Sequence, residues 1–448
     1  MPGRSYSASS GTRRGASPDG WWTRGDALRR VVTDLLAAEL AQMRPGRAPP
    51  PLPFPWPSDT EFVRDLGVDS LELMGLGTAL VEALHLQRDG IDEQLLARPC
   101  LGDWIASART GLEAGLRAGA DGEAPALTFR TSGSSGSPKR CTHALAMLEQ
   151  EVAVLAPLVP GRRRILSAVP SHHIYGFLFT VLLPRTLAGA GSVAVGDPVD
   201  ALEPAEVAEP LEVIDVRRAV PATLAALVCP GDLVVAHPGW WEAAARVMPA
   251  FDGDIVGVTS TAPCPDALAD TLAAAGLRLL QVYGSSETAG VGWRDRADAP
   301  FTLLPYWTRT DDAAGLARTL PDGTVRRYPL QDRLDWADGT RFLPAGRVDE
   351  AVQVGGMNVF PAYVADVLAL HPHVREAAVR LMRPDEGRRL KAFVVAEPGA
   401  DADVLRAELP GWIAERLTAP ERPVAWTFGP RLPRQASGKP ADWIIDAE

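Results

Sequence analysis

TSGSSGSPK, Thr131 to Lys139, is the most informative run in this chain. It sets serine and threonine hydroxyls between Gly133, Gly136 and Pro138. The apolar run before it, Ala126 to Phe129, reads as a strand, and Thr142 to Glu151 reads as the start of a helix. Glycine at 133 and 136 lets the backbone turn tightly and approach a ligand with no Cβ in the way. The hydroxyls of Thr131, Ser132, Ser134 and Ser135, with the amide N–H groups around Gly133 and Gly136, suit the oxygens of a polyphosphate. Lys139 adds a point charge. The order is not that of a Walker loop, and taken alone such a stretch is equally a flexible loop.

Three later stretches give it company. They are QVYGSSETAG (Gln281 to Gly290), GRVDEAVQVGGMNVFP (Gly346 to Pro361) and LPRQASGK (Leu432 to Lys439). In this order the four motifs resemble the adenylate-forming (ANL) superfamily of acyl- and aryl-CoA synthetases, luciferases and peptide-synthetase adenylation domains. The resemblance runs from about Pro125 to the C-terminus. It implies an α/β large domain followed by a small α+β lid domain, ATP and Mg2+ as cofactors, and a carboxylic acid as substrate.

The resemblance also distributes roles. Glu287 matches the magnesium-binding glutamate, Ser286 the hydroxyl that touches the α-phosphate, and Tyr283 the tyrosine near adenine. Asp332 and Arg347, fifteen positions apart, match the pair that holds the ribose hydroxyls, although Leu330-Gln331 replaces the usual threonine-glycine before the aspartate. Asp349 matches the hinge of the small domain. Lys439 matches the lysine that bridges the acid carboxylate and the α-phosphate, where a compact ammonium meets growing negative charge. In VPSHHIYGF (Val169 to Phe177), His173 matches the residue bordering the acid pocket. The absence of an acidic residue between Ser167 and Pro184 disfavours an amino-acid substrate. Together these features look closest to aryl-acid ligases, with a hydroxybenzoate as the single best guess.

The N-terminal part carries a second resemblance. Asp26 to Met43 has helical apolar spacing, Arg44 to Pro57 is proline-rich, and FVRDLGVDSLELMGLGTALVEALHL follows from Phe62 to Leu86. Leu71, Met74, Leu76, Leu80 and Leu84 read as the apolar side of that second helix. The order helix, long loop, LGVDSL, helix, short helix looks like an acyl carrier protein, in which Ser70 would carry phosphopantetheine. The plainer role of Asp69 or Ser70 is to cap the helix. The expected division is a disordered tail over 1–22, a carrier-like all-α domain over 23–112, a linker near 109–124, a large domain over 122–348 truncated at its N-terminus, and a lid over 349–448. The carrier-like module then either replaces the missing N-terminal stretch or is tethered beside a pared-down core.

Composition agrees with a globular enzyme. The 448 residues are 46% hydrophobic and 23% charged. A net charge of −11 argues against general nucleic-acid binding. Cys100, Cys141, Cys229 and Cys264 form neither a CxxC pair nor a metal cluster and read as reduced thiols. The longest apolar run, near Phe177 to Leu183, is too short to span a bilayer, so a cytoplasmic location is expected. Arg388, Arg389 and Lys391 read as a basic patch able to meet an acidic carrier protein.

The expected activity is ATP- and Mg2+-dependent adenylation of an aryl acid and transfer of the acyl group to the phosphopantetheine of a carrier, in cis on Ser70 or in trans. One alternative is a ligase using free CoA, with a vestigial carrier domain. A non-catalytic carrier-binding module is the alternative from another class.

Overall fold

A computed structural model describes residues 20–23, 26–44, 52–86, 90–118, 125–131, 139–191, 209–219, 221–248, 250–310, 315–347, 351–434 and 441–445. After the N-terminal helices come a two-stranded hairpin, β1 (Ala126–Thr131) with β2 (Lys139–Ala144), and the helix α6 (Leu145–Leu155). The main sheet takes β3 (Arg164–Ser167), β4 (Glu212–Asp215), β5 (Asp232–Ala236), β6 (Val256–Thr259), β7 (Arg278–Ser285), β8 (Ala289–Arg294) and β9 (Phe301–Leu303). A separate sheet holds β10 (Trp307–Arg309), β11 (Gly315–Thr319) and β12 (Val325–Pro329), before β13 (Asp332–Trp336) and β14 (Arg341–Arg347) return to the main one. Its order is β13-β14-β9-β8-β7-β6-β5-β3-β4, parallel from β4 to β7 and antiparallel beyond.

The runs DLVVA and VGVT are buried at every position, the pattern of parallel strands covered on both faces. Side-chain alternation divides the core accordingly. Ile165, Leu233, Val235, Val258 and Leu280 point into one cluster, and Leu166, Val234, Ala236 and Leu279 into the other. In such a sheet, ligands sit beyond the carboxyl ends of the strands. The loop carrying His173 leaves the end of β3, and Ser286-Glu287 leaves the end of β7.

The N-terminal helices are α1 (Ala27–Met43), α2 (Phe62–Leu66), α3 (Ser70–Leu84), α4 (Ile91–Ala97) and α5 (Leu101–Ala118). They correct the carrier-like reading of 23–112. Leu28, Leu36, Leu76, Leu80 and Trp104 belong to the same continuous core as Ile165, Phe177 and Leu280. Ion pairs reinforce the join. Arg130 on β1 donates to Glu39 of α1 at 2.8 Å and to Glu82 of α3 at 2.6 Å, and Arg140 on β2 pairs with Glu82 at 2.5 Å. His85 Nε2 lies 2.8 Å from the Thr128 hydroxyl. The helices thus share the core of the large domain and buttress its first hairpin.

Three details of that region also differ from expectation. Trp21 and Trp22, assigned to a disordered tail, are buried, with Trp21 edge-on to Phe177. The supposed linker is largely the last helix, in which Ala108 and Leu112 face the core. On α3 the buried face is Leu73, Leu76, Leu80 and Leu84, while Leu71 and Met74 are exposed. Asp69 caps α3 by accepting from Glu72 N–H at 2.8 Å, and Glu72 is held in turn by Arg44. Beyond the loop, β2 continues through Ala144, so the helix expected from Thr142 begins at Leu145.

The small domain has its own core around Val354, Leu368, Leu390 and Leu405. Strands β15 (Val352–Val354) and β16 (Met357–Val359) form a hairpin, and β17 (Val374–Leu381), β18 (Leu390–Ala396) and β19 (Ala425–Phe428) form a mixed sheet. The basic patch expected here does not exist as a surface. Lys391 is fully buried, its ammonium 2.7 Å from Glu386, 3.0 Å from Asp442 and 2.6 Å from the Trp443 carbonyl. Arg389 donates to the carbonyls of Ala419 and Arg422, and Arg388 pairs with Glu242 of the large domain.

Candidate active site

Strand pairing brings the motif residues together. The hairpin β1–β2 ends on the pair Thr131↔Lys139, which sets Lys139 at the mouth of the hydroxyl-rich stretch. Its ammonium donates to Glu287 Oε1 at 2.7 Å. The same oxygen accepts from Gln331 Nε2 at 2.9 Å, and Gln331 Oε1 accepts from Arg347 Nη2 at 2.9 Å. Register in the outer strands pairs Asp332 with Arg347, and their charged groups lie 3.8 Å apart. The Tyr283 hydroxyl donates to Asp332 Oδ2 at 2.7 Å, and its ring packs against both Phe301 and Phe342. One chain of contacts therefore runs Lys139–Glu287–Gln331–Arg347–Asp332–Tyr283, joining residues separated by up to 208 positions.

Electrostatics keeps Glu287 charged. Burial pushes the Glu287 carboxyl up, but the Lys139 ammonium and nearby backbone and Ser285 donors outweigh it, and the net shift is downward. Burial, then the neighbouring Asp332 carboxylate, push the Tyr283 phenol up, so it remains a donor. The turn bearing Ser286 and Glu287 is held in front by His143, whose Nε2–H donates to the Ser286 carbonyl at 2.7 Å. Burial lowers the His143 pKa, consistent with a neutral ring in this role.

His173 lies elsewhere. It is solvent-accessible but sits in a recess crowded by α1, β1 and its own loop, alongside Leu35, Gln42, Phe129, His172 and Phe177. Burial within that recess lowers its pKa. The cavity holds ≈ 50 Å³, room for a few waters and not for an aryl acid. Its loop is anchored from α1: buried Asp34 accepts from the Ser171 amide at 2.6 Å and hydroxyl at 2.7 Å, and from Arg217 at 2.8 Å.

Ser70 opens α3 on an exposed turn, outside this chain of contacts. Ser132, Gly133, Ser134, Ser135 and Gly136, the Thr131 side chain, Asp349 and Lys439 lie outside the described residues. Sequence reasoning missed Gln331. It was noted only as a departure from the usual glycine, yet a side chain there is what bridges Glu287 and Arg347. It also missed His143 and Asp34, which belong to no motif.

The doubly covered sheet, the β1–β2 hairpin against Glu287 and the Asp332–Arg347 pair agree with an adenylate-forming enzyme. The chain belongs to the AMP-binding enzyme family: residues 79–310 match that family and residues 363–439 match the AMP-binding enzyme C-terminal domain. It is an AMP-forming acid–thiol ligase. The first match begins inside the expected carrier domain, in agreement with the shared core.

Several relatives extend over almost the whole chain. A 4-coumarate–CoA ligase of Cereibacter sphaeroides is 37% identical over 443 residues, spanning 93% of this chain and 96% of the relative. A 4-coumarate–CoA ligase of Rhodobacter capsulatus is 38% identical over 428 residues, spanning 93% and 100%. Among solved structures, the amide bond synthetase of Marinactinospora thermotolerans has the same fold, with a TM-score of 0.57 at 18% identity over 92% of each chain.

Proposed function

We propose that this chain joins an aryl carboxylic acid of the 4-hydroxycinnamate class to coenzyme A in two half-reactions. The acid carboxylate attacks the α-phosphorus of ATP and pyrophosphate leaves. The CoA thiol then displaces AMP from the acyl-adenylate. The observation that carries this reading is the Lys139–Glu287–Gln331–Arg347–Asp332 chain of contacts beside the phosphate hairpin. Near full-length likeness to two 4-coumarate–CoA ligases supports the acid class and the acceptor.

In this reading Asp332 accepts from the ribose hydroxyls and Arg347 donates in a fixed fork. Tyr283 orients Asp332 through its hydroxyl and offers a face near adenine. Ser286 meets the α-phosphate. A partly buried carboxylate with no acidic cluster around it among the described residues suits Mg2+, which is bound through one or two carboxylates plus substrate phosphates. Glu287 is that carboxylate, and the bound ion supplies neutralisation of the phosphate oxygens. Lys139 and Glu287 satisfy each other here, and each trades the other for a phosphate oxygen or the cation. Lys439 bridges the reacting carboxylate and phosphate, and Asp349 is the hinge that brings it in and out. His173 borders the acid site, whose recess widens to admit the ring.

Free CoA replaces carrier-bound phosphopantetheine as the favoured acceptor. The helices around Ser70 lack a core of their own, and the two relatives are named for CoA. The hydroxybenzoate guess yields to a longer aryl acid for the same reason. The test is the full chain co-expressed with a phosphopantetheinyl transferase, then given Mg-ATP, CoA and a panel of cinnamic and benzoic acids. The expected result is a cinnamoyl-type CoA thioester with one pyrophosphate per turnover and no mass increment on the protein. A phosphopantetheine increment at Ser70 that gains the acyl group would restore the carrier reading.

A further inference from the structure

Behind the Glu287 turn lies an ion pair that no motif contains. Glu151 on α6 and Arg318 on β11 have fully buried side chains, with Arg318 Nη1 3.8 Å from Glu151 Oε2. Each also grips the backbone just after Glu287. Glu151 Oε1 accepts from the Gly290 amide at 2.8 Å, and Arg318 Nη1 donates to the Thr288 carbonyl at 3.3 Å. The guanidinium is fixed in turn by the Met147 carbonyl at 2.6 Å and by Gln150 Oε1 at 3.2 Å. It lies 4.3 Å from the centre of the Tyr306 ring. The Trp307 indole donates to the Gly290 carbonyl at 2.8 Å.

Gly290 leaves room for this arrangement, because a Cβ there would come within 2.3 Å of Glu151 Oε1. With His143 holding the Ser286 carbonyl from the front, backbone groups on both sides of Glu287 are tied to other elements.

A buried ion pair is a poor way to add stability, since apolar residues of the same volume serve as well or better. What it adds is a fixed register. We infer that Glu151 and Arg318 are positioning residues that hold the Glu287 carboxylate where a divalent cation and the nucleotide phosphates meet. This rests on the reading of Glu287 as the metal-binding carboxylate.

The test is calorimetric: Mg2+ is titrated into the full chain saturated with a non-hydrolysable ATP analogue, for wild type, Glu151→Gln, Arg318→Lys and Glu287→Gln. Binding of the metal-free analogue and of 4-coumarate is measured alongside. Residues that orient a metal ligand typically change metal affinity about 10- to 100-fold. Glu151→Gln and Arg318→Lys are expected to weaken Mg2+ binding by about 10-fold, leaving the acid and the metal-free nucleotide unaffected. Wild-type Mg2+ affinity in both, with Glu287→Gln weakened, overturns the inference. Equal weakening of all three ligands also overturns it, because that is a general packing role. Unchanged Mg2+ affinity in Glu287→Gln removes the reading beneath it instead. If one variant fails to fold, the other decides by the same criteria.

Discussion

At the residue scale, Glu287 and Gln331 separate two kinds of contribution. In the proposed reaction Glu287 faces charge that grows as pyrophosphate leaves, and removing one such group typically slows the chemical step by about 100-fold or more. Glu287→Gln is therefore expected to slow acid-dependent pyrophosphate release by ~100-fold. Gln331 hydrogen-bonds to Glu287 and Arg347, the two groups proposed to meet the nucleotide. Hydrogen bonds to charged groups are worth about 1.5–3 kcal/mol, so Gln331→Ala should raise the KM for ATP by roughly 10-fold and leave that for the acid unchanged. Equal changes in both constants would sink the bridging role. Gln331 was hidden in the sequence because a motif says which side chain usually stands at a position, not what an unusual one can reach. Only the pairing of β13 with β14 brings it between Glu287 and Arg347.

The buried Glu151 carries a pH signature of its own. Burial pushes its carboxyl from an ordinary 4.5 up to about 7, against the pull of Arg318 and the Gly290 amide. Between those values the native chain keeps a proton that the unfolded chain releases. Stability contributed at this position therefore falls as pH rises from about 4.5 to about 7. Replacing Glu151 with glutamine removes the titration. Thermal unfolding of Glu151→Gln should thus change less across that window than wild type does. Parallel curves for the two proteins would count against a raised carboxyl.

Among elements, α1 is the one whose role changed most between sequence and structure. Its heptad-like apolar spacing made it a helix in either reading, but spacing does not say what the polar face meets. Asp34 on that helix takes the amide and hydroxyl of Ser171 and the guanidinium of Arg217. The His173 loop is thereby fastened to α1. Breaking a buried, hydrogen-bonded pair from one side typically costs about 3–5 kcal/mol. Asp34→Ala is expected to lower unfolding free energy by roughly 3 kcal/mol, read by denaturant titration, and Asp34→Asn by less. A loss under about 0.5 kcal/mol would mean that the anchor is redundant.

For the whole molecule, the decisive fact is that the core does not divide near residue 112. Leu36 and Leu80 share it with Leu233 and Leu280, and the hairpin that carries the phosphate stretch leans on Glu39 and Glu82. A chain beginning at residue 122 would expose Leu127, Phe129 and Phe177, which are buried in the full protein. Deletion of residues 1–118 is expected to abolish soluble expression and the cooperative unfolding of the rest. A soluble, cooperatively folded fragment would mean that the N-terminal helices are a separable domain after all. Among the described residues no helix is long and apolar enough to cross a membrane.

Four ordered motifs were enough to determine the class of chemistry, because each carries residue types that phosphate, ribose or a carboxylate requires, in an order that chance rarely reproduces. They also named Glu287, Asp332, Arg347 and Tyr283, residues that strand pairing brings into one chain of contacts. Local spacing likewise determined the main helices and the parallel strands, since amphipathic period and continuous apolar runs are properties of short windows. The tertiary structure decided what those windows could not. LGVDSLEL has the local grammar of a carrier helix, but domain identity depends on whether its apolar face closes on itself or on a distant sheet. Arg388, Arg389 and Lys391 read as a charged surface, but Lys391 is buried, where nearby Glu386 and distant Asp442 together neutralise it. Glu151 and Arg318, 167 positions apart, have no meaning in sequence; they acquire one only when α6 and β11 close over the turn that holds Glu287.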